Sequence, residues 1–303
     1  MYFRRMTSPG SRTEDPERDF AVSVRTLKSL RRSVRSSTVF APYWGIRAAT
    51  NPGEDQTLRA LAFAPRLPDR SLYFGITAAA LPSVPLPARL SADPRIHVAV
   101  KSGDRRPQAA GVAAHHIRVR DHDITTVRGL PVTTRARTWC DLSTVGLTLA
   151  ELVAAGDHLI SWRASRTSRD QLGLAIENYE GRRGATLMRV ALQLLNDRSD
   201  SPAESALRVA IVTASFVTPE VNAEIRIGAR VLHLDMSWPE RLVAIEYEGD
   251  HHRTDPDQWR YDIRRFTDLQ GAGWFVYRAT ADDLRDPRRL LAWLSHRIQQ
   301  ARA

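Results

Sequence analysis

The sequence predicts an α+β protein of two domains. Three observations carry this reading. The chain has 303 residues, enough for two ordinary domains. A polar break, "DRSDSPAES" at 197–205, separates a long mixed region from the last hundred residues. Beyond the break, apolar periodicity alternates between helix and strand spacing in the order α, β, β, β, α, β, α.

Composition bounds the class. A chain that is 43% hydrophobic and 26% charged buries a core rather than staying disordered. No apolar run approaches the roughly 18 residues that span a bilayer. The opening "MYFRRMTSPGSRTEDPERDF" lacks the apolar core of a signal peptide. The single Cys140 excludes an intramolecular disulfide and a multi-cysteine zinc site, and reads as a small buried hydrophobe. These features point to the cytoplasm and away from the membrane. The net charge of +10 favours nucleic acid as a partner, because each neutralised phosphate releases counterions. Lysine occurs only at Lys28 and Lys101, so a coding bias towards arginine also feeds this charge.

Residues 1–20 are expected to be a disordered N-terminus. From "FAVSVRTLKSLRRSVRSS" onward a helix is expected, with Val24, Leu27, Leu30 and Val34 on one face and Arg25, Lys28, Arg32 and Arg35 on another. That basic face either meets DNA or is solvated. No recognition-type helix follows, and "VFAPYWGIRA" reads as a short strand and turn. Residues 51–130 are mixed and proline-rich. "SLYFGITAAALPSVPLP" suggests a strand end, a short helix and a turn, while "RIHVAV" and "HHIRVR" alternate as strands. His115 and His116 then face opposite sides, which suits a metal pair poorly. Thr133 or Thr134 caps a helix carrying Ala136, Trp139, Cys140 and Leu142. Residues 149–197 are helical, with Leu187, Val190 or Ala191, and Leu194 as a core stripe.

After the break, Ser201, Pro202 and Glu204 match the N-cap, N1 and N3 positions of a helix. Three strands follow, "VNAEIRI", "RVLHLDMSW" and "LVAIEYEG", with turns short enough for an antiparallel meander. The period of two places Val231, His233 and Asp235 on one face of the second strand. Ala244, Glu246 and Glu248 share a face of the third. Leu232, Leu234 and Met236 with Val243, Ile245 and Tyr247 make an opposite, apolar face. Asp235 comes opposite or diagonal to Glu246 across the hairpin. Three carboxylates so gathered repel one another, and a divalent cation resolves the conflict, whereas on a solvated face they would mean little. Downstream, Trp259, Ile263, Phe266 and Leu269 form a helix stripe, and Asp262 and Arg265 are spaced to pair on the surface. "WFVYRA" is the next strand and "ADDLRDPRRLLAWLSHRIQQ" the last helix.

This order, with Glu204, Asp235, "EYEGDHH", Asp262, Arg265, Gly273–Trp274 and Arg278, resembles the PD-(D/E)XK restriction-endonuclease-like fold. More narrowly, it resembles an uncharacterised family of very-short-patch-repair-endonuclease-like domains. The likeness covers roughly residues 199–295. It implies a metal-dependent DNA endonuclease of DNA repair or phage defence, with Asp235, Glu246 and Glu248 at Mg²⁺ (or Mn²⁺). His252 would be the general base or a phosphate-facing group, and Glu204 either a further catalytic residue or only the capping-box glutamate. Glu248 stands where many relatives carry a lysine, and the relatives' cysteine-rich zinc site has no counterpart here. "TAAALPSVPLP", "RIHVAV", the histidine before "IRV" and "GLPVTTRARTWCDL" resemble the region after the winged helix of AbiEi-type antitoxins. The implied division is an AbiEi-like α+β region at 21–160, a helical connector at 161–198 and a nuclease-like domain at 199–303. A DNA-binding regulator with an inert nuclease fold and a toxin or defence-system partner is the alternative, and a protein-binding scaffold is the third reading.

Overall fold

The computed structural model describes residues 21–23, 40–164, 166–181, 183–249 and 256–300, with backbone alone at 21–23, 256–262 and 299–300. The chain is α+β and forms two compact units. One holds the described residues up to Leu81 together with Ala92–Val132. The other holds Pro82–Ser91 and the described residues from Thr133 onward.

In the first unit, β1 (Ala21–Ser23) pairs antiparallel with β2 (Ile46–Ala48). The helix expected from Phe20 onward therefore does not include these three residues. The helical apolar period begins only at Val24, and Ala21–Ser23 gain ladder hydrogen bonds instead. Arg25, Lys28, Arg32 and Arg35 lie outside the described residues, as does the expected disordered N-terminus. Helix α1 (Gln56–Phe63) starts at Asp55, whose carboxylate accepts from the N–H groups of Thr57 and Leu58. A five-stranded sheet runs in the order β5-β4-β3-β7-β6. Its strands are β3 (Ser71–Tyr73), β4 (Ile96–Lys101), β5 (Val112–Ile117), β6 (Ile124–Val127) and β7 (Leu130–Thr133). Short helix α2 (Gly75–Ala80) follows β3, while α3 (Ala88–Ser91) belongs to the second unit. Ile46, Phe63, Tyr73, Ile96 and Val98 anchor the core. His115 stacks on His97 with ring centroids 5.3 Å apart. Its neighbour His116 instead approaches the Asp104 carbonyl oxygen at 2.9 Å. The two adjacent histidines thus meet different partners, as alternation along a strand requires.

After α3 the second unit continues with four helices, α4 (Arg135–Leu142), α5 (Leu149–Ile160), α6 (Arg169–Glu177) and α7 (Ala185–Leu194). Thr134 caps α4 as expected, and Trp139, Cys140 and Leu142 are buried. On α7 the buried line is Met188 and Ala191, continued by Leu195, while Val190 is exposed. The sequence stripe is thus rotated by about one residue, because Met188 fills the core position that Leu187 was assigned.

Helix α8 (Pro202–Thr213) is pinned to α5 by a buried charge pair. Arg208 Nη2 donates to Asp157 Oδ2 at 2.6 Å, and Ser205 Oγ donates to the same oxygen at 2.6 Å. The Asn196 N–H donates to Asp157 Oδ1 at 2.7 Å. The polar stretch at 197–205 is therefore a fastened turn.

The four-stranded sheet has the order β11-β10-β9-β8. Strands β8 (Glu220–Ile227), β9 (Arg230–Trp238) and β10 (Val243–Tyr247) form the expected antiparallel meander. Strand β11 (Phe275–Ala279) runs parallel to β10, as a crossover through α9 (Pro256–Gly271) demands. Short α10 (Ala281–Arg285) and α11 (Arg288–Gln300) end the described chain. The expected split into one apolar and one acidic face needs correction. Met236, Trp238, Val243 and Ile245 pack against Leu207 and Ile211 of α8 and Leu290 and Leu294 of α11. Leu232, Leu234 and Ala244 pack instead with Leu269 of α9 and Trp274. Both faces are covered because helices lie on each side, and the small Ala244 side chain leaves room for α9. On α9, Leu269 is buried and Phe266 half-buried, but Ile263 is exposed and so does not join the expected stripe; the Trp259 side chain lies outside what is described.

Removing one partner of the Asp157–Arg208 pair strands a buried charge. Asp157→Ala is expected to cost about 3–5 kcal/mol in urea unfolding, and the double change Asp157→Leu with Arg208→Met to recover most of it.

Candidate active site

Glu204 enters through the start of α8. Ser201 Oγ accepts from the Glu204 N–H at 3.2 Å and donates to Glu204 Oε1 at 2.8 Å. The Asp200 N–H donates to Glu204 Oε2 at 2.9 Å. The cap geometry is thus present, but the carboxylate reaches one residue further back than the Ser201 N–H. It is also buried, 8% exposed, and its pKa is pushed up to about 7 by burial first and by the Asp235 charge second. One side chain thus both caps the helix and feels the Asp235 charge.

Asp235 and Glu246 meet across the hairpin. The ladder pairs Ala244 with Ser237 and Ile245 with Met236 and ends there, and just beyond it the Asp235 N–H donates to the Glu246 carboxylate. Asp235 Oδ2 accepts from the Tyr247 N–H at 2.8 Å. Burial raises its pKa, and Asp200 and Glu248 add to that, against the Tyr247 N–H and Arg265. Glu246 is 4% exposed, and burial and Asp235 push it up to about 8. The counter-charge comes from α9. Arg265 Nη2 donates to Glu246 Oε1 at 2.8 Å, and Nη1 lies 2.8 Å from Oε2. Arg265 also donates to the His233 carbonyl oxygen. This two-point fork is the geometry in which arginine binds carboxylate or phosphate most strongly.

Glu248 takes another direction. Its N–H donates to the Ala279 carbonyl oxygen at 2.8 Å, and its carboxylate accepts from Arg278 Nε at 2.8 Å. Arg278 in turn lies over the Phe266 ring, 4.7 Å from its centroid. His252 lies outside the described residues, and at Asp262 the backbone alone is described. The Asp235 charge therefore reaches both Glu204 and Glu246, while Glu248 pairs with Arg278 and still acts on Asp235. Arg265 was expected to pair with Asp262 on the surface and is found on Glu246. A signal for this was available: Arg265 lies four residues before the buried Leu269, on the helix's inward side.

Among the described residues, no three His, Cys, Asp or Glu side chains are placed to hold a metal ion. Two hard oxygen donors, Asp235 and Glu246, do lie together, and Mg²⁺ takes one or two protein carboxylates with waters filling the rest. The residues fit such an ion on one condition, that Arg265 yields at least one Glu246 oxygen.

The pH dependence follows from the raised pKa values. Glu204 and Glu246 keep protons in the fold at pH values where the unfolded chain has lost them. Stability from this source is highest below about pH 4.5 and falls as pH rises through about 7 and 8. Each such carboxyl contributes a slope of about 1.4 kcal/mol per pH unit. In metal-free buffer, wild type should lose melting temperature between pH 5 and 8 more steeply than Glu246→Gln, by thermal unfolding.

The comparisons with known proteins come from one organism. Two curated Mycobacterium tuberculosis proteins, uncharacterized protein MT2308 (strain CDC 1551 / Oshkosh) and uncharacterized protein Rv2248 (strain ATCC 25618 / H37Rv), are similar to this chain. Each is 30% identical to it over 142 residues, 46% of this chain and 52% of the relative. The chain spans about half the length of the curated relatives it matches. No family model and no solved structure matches.

Proposed function

We propose that this chain is a divalent-metal-dependent DNA endonuclease with a restriction-endonuclease-like C-terminal region. The observation that supports it most is the burial of Glu204, Asp235 and Glu246, from a helix and two strands, with the Asp235 charge raising the pKa of both glutamates. A fold keeps mutually repelling carboxylates out of water only at a cost, and such perturbed groups cluster where chemistry is done. The helix, three-strand meander, crossover helix and parallel strand agree with that fold, and the net charge of +10 suits DNA.

Bound Mg²⁺ or Mn²⁺ supplies charge neutralisation at a phosphate oxygen and a more acidic water. Asp235 and Glu246 would hold the ion. Arg265, released from Glu246, turns its fork to the phosphate and stabilises the charge that develops there. It thereby supplies the cation that a lysine at the Glu248 position gives in many relatives. Glu204, poised near neutral pH, takes or returns a proton at the attacking water or the leaving oxygen. His252 is the second base that the resemblance implies, and Glu248 a further oxygen donor at the rim. DNA repair or phage defence in the cytoplasm is the setting this chemistry suits.

One observation favours a second reading. The Arg265–Glu246 fork already neutralises the site, as it would in a DNA-binding regulator whose nuclease fold is inert. Plasmid and mismatched duplexes incubated with Mg²⁺ or Mn²⁺ decide between the two. The hydrolase reading predicts cleavage that falls about a hundredfold or more in Asp235→Asn and Glu246→Gln. Equal cleavage by wild type and both variants marks a contaminant and removes the proposal. Salt-dependent binding without metal and without cleavage is the regulator's result.

A further inference from the structure

Asn222 lies inside strand β8 with φ at +48°, in the left-handed region that a residue other than glycine seldom enters. Asparagine tolerates that conformation better than most side chains, but a strand does not call for it. The ladder shows the consequence. Val221 pairs with Met236 and Ala223 with Leu234, and the two residues passed over are Asn222 and Asp235. Backbone held away from its ordinary geometry beside buried carboxylates points to a task for the side chain.

The contacts of that side chain name the task. Asn222 Nδ2 donates to Asp200 Oδ2 at 2.9 Å. Arg163 holds the same carboxylate, with Nε donating to Oδ1 at 2.7 Å and Nη2 to Oδ2 at 2.6 Å. The Asp200 N–H in turn donates to Glu204 Oε2 at 2.9 Å, and Ser201 Oγ donates to Oε1 at 2.8 Å. Both Glu204 oxygens are thus fixed by residues 200 and 201, and that turn is tied to β8 through Asn222. Starting the helix does not require the tie, because Ser201 already caps α8.

We infer that Asn222 and Asp200 are positioning residues for Glu204: the bond between them ties the entry of α8 to β8 and aims the Glu204 carboxylate at the site of Asp235 and Glu246. The inference rests on the proposed hydrolase and extends it to residues that touch neither metal nor phosphate. A proton-transfer group works only within hydrogen-bond reach of the atom it serves, so a small swing of its carrier is costly. Holding the ion does not depend on the bond, since that falls to Asp235 and Glu246.

The test separates the side chain of Asn222 from its backbone. Glycine adopts a positive φ freely but offers Asp200 no side-chain donor. Asn222→Gly should therefore melt close to wild type. In Mg²⁺ it should cleave a supercoiled plasmid with kcat lowered about tenfold and KM within about twofold. Its Mn²⁺ affinity, read by calorimetry, should stay within about twofold of wild type. Asp200→Ala keeps the N–H to Glu204, loses the tie and should lower kcat by a similar factor. It lies at a partly exposed position, so it reads the same bond even where the glycine variant unfolds early. The double variant should be no slower than Asp200→Ala alone, because both changes break one bond. Full kcat in Asn222→Gly or in Asp200→Ala overturns the inference. So does a loss of Mn²⁺ affinity that matches the loss of rate, which would place the bond in the assembly of the metal site. Cleavage that Asp235→Asn abolishes and Asn222→Gly leaves intact removes this inference alone. A wild type without metal-dependent cleavage removes the proposed function and this inference with it.

Discussion

The second unit is organised around buried negative charge. Glu204, Asp235 and Glu246 are withdrawn from water near one another, and burial leads the causes that raise each pKa. Such a group of carboxylates is tolerated only with compensation. Protonation is one source, and the Arg265 fork on Glu246 is another. A divalent cation would be a third, and the most complete.

The surrounding elements follow from that need. Helix α9 crosses one face of the sheet, where Leu269 packs by Ala244 and Arg265 comes within reach of Glu246. Helix α8 covers the other face with Leu207 and Ile211 and delivers Glu204 from its first turn. The Asp157–Arg208 pair then fixes α8 against α5. The angle at which Glu204 enters the site depends on this anchor, about one turn of helix away. Arg163 and Asn222 converge on Asp200 and hold the turn from the other side. The site is therefore assembled from residues that are distant in sequence but belong to one compact unit.

Much of this was legible in the chain. Strand alternation placed Asp235 by Glu246, and the Ser201–Pro202–Glu204 spacing located the start of α8. The antiparallel meander followed from the short turns after Ile227 and Trp238. Other features depend on tertiary contact and leave only faint local marks. The alternation of β10 puts Ala244 on the acidic face but does not say that Leu269 of α9 will pack against it. Arg265 was assigned to Asp262 because neighbours on a helix surface are easier to pair than residues on different elements. Its position four residues before Leu269 was the clue that it points inward. On α7, Met188 rather than Leu187 takes the core position, a choice made by packing between two residues that the helical period treats almost alike. At Ala21–Ser23 pairing with Ile46–Ala48, a partner over twenty residues away, decides the conformation.

On the proposed function, Asp235 and Glu246 share a divalent cation for which Arg265 stands in when it is absent. A crystal structure of the full chain soaked in Mn²⁺, read by anomalous scattering, tests this most directly. The account predicts an ion bridged by Asp235 and Glu246, with Arg265 withdrawn from at least one Glu246 oxygen. An intact Arg265–Glu246 fork with no ion beside Asp235, at Mn²⁺ concentrations that load other carboxylate sites, would contradict it.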